Sequence, residues 1–347
     1  MSRTAPGAVF RREGGSDPLR EARVIVTGGA GFIGSHVVDQ LVSAGSRVVV
    51  IDDFSTGSRA NLGRHSQGDL SVVEGDIRDL DAMIDLIRDA DLVLHMAAAS
   101  LRLSLSDPAL VHEINATGTL NVCRAAYENE VGRLVYVSSS EAYGSAKYVP
   151  MDEEHPLDPT TVYGASKAAG ELYALACHHT YGLETIVIRP FNTYGPREHA
   201  EGTSAEVIPK FVMRALAGLP PVIFGSGSQT RDFTWAEETA QGIVLASQCD
   251  ALVGERVNIA RGQEVRITTI CDLVLKAVQR DDLEPARASD RPGDVMRHYA
   301  DVTKAADVLG FSAKVDIAAG IERYVNWVRD QNLDAGAWAR RETVRNW

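Results

Sequence analysis

Arg23-Val24-Ile25-Val26-Thr27-Gly28-Gly29-Ala30-Gly31-Phe32-Ile33-Gly34 is the stretch that decides the fold. A short β-branched run enters a turn with glycines at 28, 31 and 34, and a helical pattern follows over residues 34–44. Strand, tight glycine turn and helix in that order form a cradle for a pyrophosphate. The glycines let the phosphates approach the backbone, and the helix N-terminus offers amide donors and a favourable dipole. A second strand, residues 47–51, ends on Asp52. A carboxylate there accepts hydrogen bonds from adenosine ribose hydroxyls and repels a 2′-phosphate, so NAD is the expected cofactor rather than NADP. Asp76, in Glu74-Gly75-Asp76-Ile77, follows the third strand, within reach of the adenine amino group.

Outward from this unit, apolar strands at residues 70–74, 92–96, 134–138 and 184–189 alternate with helical patterns near 79–88, 108–129 and 162–181. Continuous apolar strands between helices mean a parallel sheet covered on both faces, a doubly wound (Rossmann) α/β domain expected over residues 22–191. Beyond Asn192 the loops lengthen, and Pro and Gly cluster at 194–196, 219–221 and 225–227. A smaller mixed α/β substrate lobe is expected over residues 192–333, packed above the C-terminal ends of the strands, where such sheets bind ligands. Residues 1–21 read as a disordered tail and 334–347 as an amphipathic helical extension.

Composition bounds the partners. The 347 residues carry a formal net charge of −12. An acidic chain argues against nucleic acid as the partner, whereas a few local arginines still suffice for an anionic small molecule. The four cysteines form no CxxC pair, and His178-His179 are neighbours that cannot face one ion, so buried reduced thiols and no metal are expected. No secretory or membrane-spanning run is present, which points to a cytoplasmic protein.

Tyr163-Gly164-Ala165-Ser166-Lys167 places a phenol and an amine at i and i+4, on one face of a helix. A phenol titrates near pH ~10. A neighbouring ammonium and a positive nicotinamide ring favour the phenolate, which then takes a proton from a sugar hydroxyl as hydride leaves for NAD. Ser139, at the end of the strand 134–138, is placed to relay that proton. Glu141 is placed to handle a C5 proton or a leaving hydroxyl.

At these motifs the chain resembles the extended short-chain dehydrogenase/reductase family of nucleotide-sugar epimerases, dehydratases and decarboxylases. The matching stretches are TGGAGFIG (27–34), VVVIDD (48–53), GDIRD (75–79), HMAA (95–98), INATGT (114–119), SSSEAYG (138–144), YGASK (163–167), RPFNTYGPR (189–197), GSGSQTRDFT (225–234) and RPGD (291–294). The resemblance implies NAD held by Gly28, Gly31, Phe32, Ile33, Gly34, Asp52, Asp53, Asp76 and Ile77, with Ala97, Ala98, Asn115, Tyr163 and Lys167. It implies diphosphate contacts from Asn192, Arg231 and Arg291, a ribose contact from Asp294, and Phe224 over the base. It further implies a UDP-sugar substrate and a homodimer built on the helices at 115–127 and 163–181. All members remove hydride from C4. Ser139-Ser140-Glu141 resembles the Thr-Ser-Glu of UDP-glucuronate decarboxylases, so decarboxylation is expected ahead of 4,6-dehydration, with 4-epimerisation as the alternative.

Overall fold

Alternate residues of the first strand face opposite ways, and this builds two cores. The computed structural model describes residues 17–63, 68–291 and 293–345. Its main sheet holds β1 (Arg23–Thr27), β2 (Arg47–Asp52), β3 (Leu70–Glu74), β4 (Leu92–His95), β5 (Arg133–Val137), β6 (Thr185–Pro190) and β7 (Arg256–Ile259). All seven are parallel, in the order β7-β6-β5-β4-β1-β2-β3. Val24 and Val26 join one core, which includes residues of α1 (Phe32–Ser43); Ile25 joins the other, which takes in α3 (Thr119–Glu128) and α4 (Val162–Tyr181) with α2 (Leu80–Leu86). The direction of winding reverses between β1 and β4. That switch point opens a crevice at the strand C-termini.

The second half interleaves with the first. β7 rejoins the main sheet beside β6, and the helix Ala236–Ser247 packs on α1, where Gln40 donates to the Glu237 carbonyl at 2.8 Å. The sheet therefore takes a strand from the span in which a separate lobe was expected. The lobe itself is made of short strands: Glu264–Arg266, Thr230–Trp235 and Asn192–Tyr194 form one sheet, and Ala286–Ala288 with Val222–Phe224 another. Its core includes Phe211, Phe233, Trp235 and Tyr324.

Two expectations need correction, the unbroken helix over 108–129 and the tail over 17–21, and the expected C-terminal helix is present. The helix expected over 108–129 is interrupted by a π turn at Glu113–Gly118, between Pro108–His112 and α3. Gly118 lies there against Ile77, and such wide turns often mark functional positions. Residues 17–21 are not a free tail: Leu19 is buried in the core and its carbonyl accepts from Ser46 Oγ at 2.8 Å, because an apolar side chain finds a place at the base of the sheet. Residues 1–16 of the expected tail lie outside the described residues. The C-terminal helix, Ala335–Arg341, is docked: Trp338 is buried and its indole N–H donates to the Ala200 carbonyl at 2.9 Å. Among the described residues, no helix is long and apolar enough to cross a membrane.

Candidate active site

The glycine turn is tight for a visible reason. Gly28 has φ +69°, and a Cβ there would sit 2.7 Å from the Ala97 backbone. A Cβ on Gly34 would collide with the Gly28 carbonyl. Helix α1 starts with no side-chain cap and no acidic residue in its first turn, so the amides around Phe32 and Ile33 face an open cradle. This is the shape a dinucleotide pyrophosphate requires. Asp52 closes the cradle differently from the sequence expectation. Its two oxygens accept from the Ala30 and Phe54 amides, each at 2.9 Å, so the carboxylate braces the turn and keeps only spare lone pairs for a ribose. Burial pushes its pKa up, and the two amides pull it back. Asp53 is exposed and accepts from Ser55. Asp76 is held by the Arg78 guanidinium at 2.9 and 2.5 Å, which keeps its carboxyl below the usual range.

A buried hydrogen-bond chain ties this cradle to α4. Thr119 Oγ1 donates to the Asn115 carbonyl at 2.6 Å, so it accepts from His95 Nε2 at 2.9 Å. The other ring nitrogen, Nδ1, is then bare and accepts from Thr27 Oγ1 at 2.7 Å. Burial, helped by the Lys167 charge, lowers the His95 pKa to about 3 and keeps the ring neutral. Asn115 Oδ1 accepts from the Ala99 amide at 2.7 Å, while its Nδ2 donates to Ser166 Oγ at 3.1 Å. Ser166 in turn donates to the Tyr163 carbonyl at 2.7 Å. Asn115 thus anchors the start of α4, and Ala98 is exposed next to Ala99, whose amide Asn115 holds.

Tyr163 and Lys167 share α4, but the amine does not reach the phenol. Lys167 Nζ donates to the Val137 carbonyl at 2.8 Å and lies 4.5 Å over the Tyr136 ring. Burial lowers its pKa to about 7, against the pull of Glu171. Burial also pushes the Tyr163 phenol up to about 12; a hydrogen bond with Ser139 pulls it down, and Glu141 and Glu206 push it further up. The expected ammonium-assisted phenolate is therefore not preformed, because burial outweighs attraction at both groups. Ser139 caps the turn Ser140–Ala142, its hydroxyl accepting from the Glu141 amide at 3.2 Å. Among the described residues no hydrogen bond or ion pair engages the Glu141 carboxylate. Burial raises its pKa; Arg231 and Arg291 oppose this, and Asp294 and Glu206 add to it.

Beyond Glu141 a cleft runs along the lobe. Asn192, Phe224, Arg231, Arg291 and Asp294 all line it. The arginines are not free. Arg231 donates to the Thr230 and Val295 carbonyls and, at 2.5 Å, to Asp294, which also accepts from Arg291 at 2.8 Å. Asp294 therefore orients two guanidiniums toward the cleft. Asn192 Oδ1 is buried without a hydrogen-bond partner among the described residues.

Sequence reading missed several residues in and behind the cleft. Arg102, buried, makes a two-pronged pair with Glu206 at 2.8 and 2.9 Å; its only signal was one charge within Leu101-Arg102-Leu103. His298, fully buried, donates from Nε2 to the Ser140 carbonyl at 3.0 Å and so fixes the segment bearing Glu141. Lys210, Arg214 and Glu342 close the cleft's other end, with no local motif to announce them.

Comparison with known proteins agrees with this geometry. The model of the NAD dependent epimerase/dehydratase family matches residues 24–260. A putative UDP-glucose 4-epimerase of Methanocaldococcus jannaschii is 36% identical over 313 residues, 89% of this chain and 99% of the relative. A dTDP-glucose 4,6-dehydratase of Streptomyces niveus is 34% identical, over 89% of this chain and 93% of the relative. The crystal structure of the dTDP-glucose 4,6-dehydratase DesIV of Streptomyces venezuelae, solved with NAD bound, superposes with a TM-score of 0.85 at 34% identity, covering 92% of this chain and all of that one.

Proposed function

The chain belongs to the NAD-dependent epimerase/dehydratase family, and from that premise we propose that it is a nucleotide-sugar 4,6-dehydratase. It is an NAD enzyme of nucleotide sugars; the choice of reaction is our reading. The observation that carries it is Glu141, a carboxyl with raised pKa and no partner, beside the phenol that works on C4. Such a group suits both halves of an elimination. NAD, when bound, supplies the hydride acceptor for C4. Tyr163 takes the C4 hydroxyl proton, with Ser139 relaying. The resulting ketone acidifies C5–H, which Glu141 removes. Glu141 then gives a proton to the C6 hydroxyl as it departs as water, and the sugar takes the hydride back at C6 and a proton at C5, so that the cofactor ends oxidised as it began.

Decarboxylation of a hexuronate, the leading expectation from sequence, fits the charges less well. Around Glu141 the cations are Arg231, Arg291 and Arg102. Asp294 pairs the first two and Glu206 the third. A diphosphate would draw on Arg231 and Arg291. Among the described residues no cation beside Glu141 is left for a sugar carboxylate, which Glu141 itself would repel.

The test is product mass after incubation with dTDP-glucose, UDP-glucose, UDP-GlcNAc and UDP-glucuronate. Loss of water supports the reading and loss of CO2 restores decarboxylation. Unchanged mass with C4 inverted would make the protein a 4-epimerase in which Glu141 only orients substrate.

A further inference from the structure

Two charged residues of the cleft wall are already paired with each other. Arg102 and Glu206 both line the cleft. The Arg102 side chain is 8% exposed and that of Glu206 is 43% exposed, so the carboxylate faces the opening and the guanidinium lies behind it. Arg102 Nη1 and Nη2 donate to Glu206 Oε1 and Oε2 at 2.8 and 2.9 Å. The pair belongs to the reacting end of the cleft: the Glu206 charge acts on both Glu141 and Tyr163, and the Glu141 charge acts on Arg102. Loss of water inside the cleft pushes the Glu206 carboxyl up, but the Arg102 charge and its hydrogen bonds hold it below the usual range, so Glu206 is ionised at neutral pH. Glu198, whose charge also acts on Arg102, accepts from the Gly195 amide at 3.1 Å and makes no ion pair with Arg102 among the described residues.

A guanidinium fork offers a seat shaped for one carboxylate, two parallel N–H groups in a plane. On Arg102 the protein's own Glu206 fills that seat. Glu206 is tethered beside it, so its effective concentration there exceeds that of any free ligand. A second carboxylate brought next to it would meet a like charge with no cation of its own, which costs several-fold to many-fold in affinity. Hydroxyls meet the opposite situation. The fork uses one lone pair of each Glu206 oxygen, and the exposed side keeps acceptor capacity for an O–H donor. Asp294 draws the other two arginines of this region into a separate cluster, suited to a diphosphate. Arg102 is thus the cation that a charged sugar would need, and Glu206 is what withholds it.

We propose that Glu206 determines sugar specificity: it occupies the carboxylate seat on Arg102 and so restricts the sugar position to uncharged hexoses. This rests on the nucleotide-sugar reading of the cleft, but not on which reaction follows C4 oxidation.

The experiment is calorimetric titration of the full-length, NAD-loaded protein with UDP, UDP-glucose and UDP-glucuronate, in a Tyr163→Phe background so that no turnover disturbs binding. With Glu206 in place, UDP-glucose should bind about tenfold or more tighter than UDP-glucuronate. Glu206→Gln keeps the size of the side chain and one acceptor for Arg102 but removes the charge, and Glu206→Ala empties the seat. In either, UDP-glucuronate should tighten about tenfold or more relative to UDP, while UDP-glucose stays within about threefold of its former ratio to UDP. Adding Arg102→Met to Glu206→Ala should abolish the gain. Formate, a free carboxylate that fits the fork, should raise the melting temperature of Glu206→Ala by more than that of the parent, a readout that needs no sugar. An unchanged glucuronate-to-UDP ratio in both variants, a gain that UDP shares equally, equal formate shifts, or equal binding of the two sugars with Glu206 in place would each overturn the proposal. All of these leave the reaction to be decided by product mass. Binding of none of the three ligands would sink the nucleotide-sugar reading with it.

Discussion

Replacing Lys167 by methionine should stabilise the protein stripped of NAD at neutral pH while removing its turnover. The amine is 2% exposed, and burial lowers its pKa from 10.5 to about 7. Between those values the unfolded chain holds a proton that the folded chain has released. The unfolded state therefore binds more protons there, and stability rises with pH across this window. Each pH unit is worth about 1.4 kcal/mol, so folding with Lys167 costs roughly 4 kcal/mol at pH 7 and only about 1 kcal/mol at pH 9.5. Methionine is unbranched, similar in length and carries no proton. It loses the 2.8 Å bond to the Val137 carbonyl, about 1–3 kcal/mol. The variant should thus be about 2 kcal/mol more stable than wild type at pH 7 and less stable at pH 9.5. Urea unfolding of both proteins at the two pH values measures this, and other titrating groups cancel in the comparison. A difference that does not move with pH, or a variant weaker at both, would refute the claim that Lys167 sheds its proton in the fold.

Other outcomes follow from the same contacts. Tyr163→Phe should lower turnover at least about 100-fold with NAD still bound, since the phenol carries the proton transfer; a near-normal rate removes Tyr163 from the chemistry. Gly34→Ala drives a methyl into the Gly28 carbonyl and should cost the protein its NAD, measured as nucleotide retained after purification; undiminished NAD would mean the cradle is not the pyrophosphate site. Glu141→Gln should oxidise C4 and stop, so the NADH band rises while no water is lost; equal loss of both steps would deny Glu141 its role at C5. Leu120, Leu172 and Tyr181 are 43%, 53% and 50% exposed on α3 and α4. Leu172→Glu should turn the expected homodimer into a monomer by sedimentation, and a wild-type monomer would rule that interface out.

How much of the fold could be read in advance depended on strand length and burial. β1, β3 and α4 begin and end where the periodicity placed them, at Arg23–Thr27, Leu70–Glu74 and Val162–Tyr181. β1 is apolar on both faces because both faces are covered, and a continuous β-branched run is hard to mistake. β7 escaped notice because Arg256-Val257-Asn258-Ile259 has two apolar residues, and Asn258 is buried by partners far away in sequence: Tyr143 Oη donates to its Oδ1 at 2.7 Å. The lobe strands have three to six residues. Runs that short carry little periodicity of their own.

Site residues followed a similar division. Those at strand ends and on α4 belong to local motifs, so Gly28, Asp52, Ser139, Tyr163 and Lys167 were all legible by position. Arg102 with Glu206, His298 with Ser140, and Arg214 with Glu342 come from segments joined only by tertiary packing, which no local pattern encodes. Even the legible residues withheld their charge. A Tyr-x-x-x-Lys spacing reports where a phenol and an amine sit, but their protonation depends on burial, on Glu171 acting on the amine, and on Ser139, Glu141 and Glu206 acting on the phenol. Here burial favours a neutral phenol, at about 12, and an amine that gives up its proton near 7. Both preferences would reverse if positive and negative charge were brought together within the site. The phenol is therefore neutral at neutral pH, while the amine sits near the midpoint of its titration.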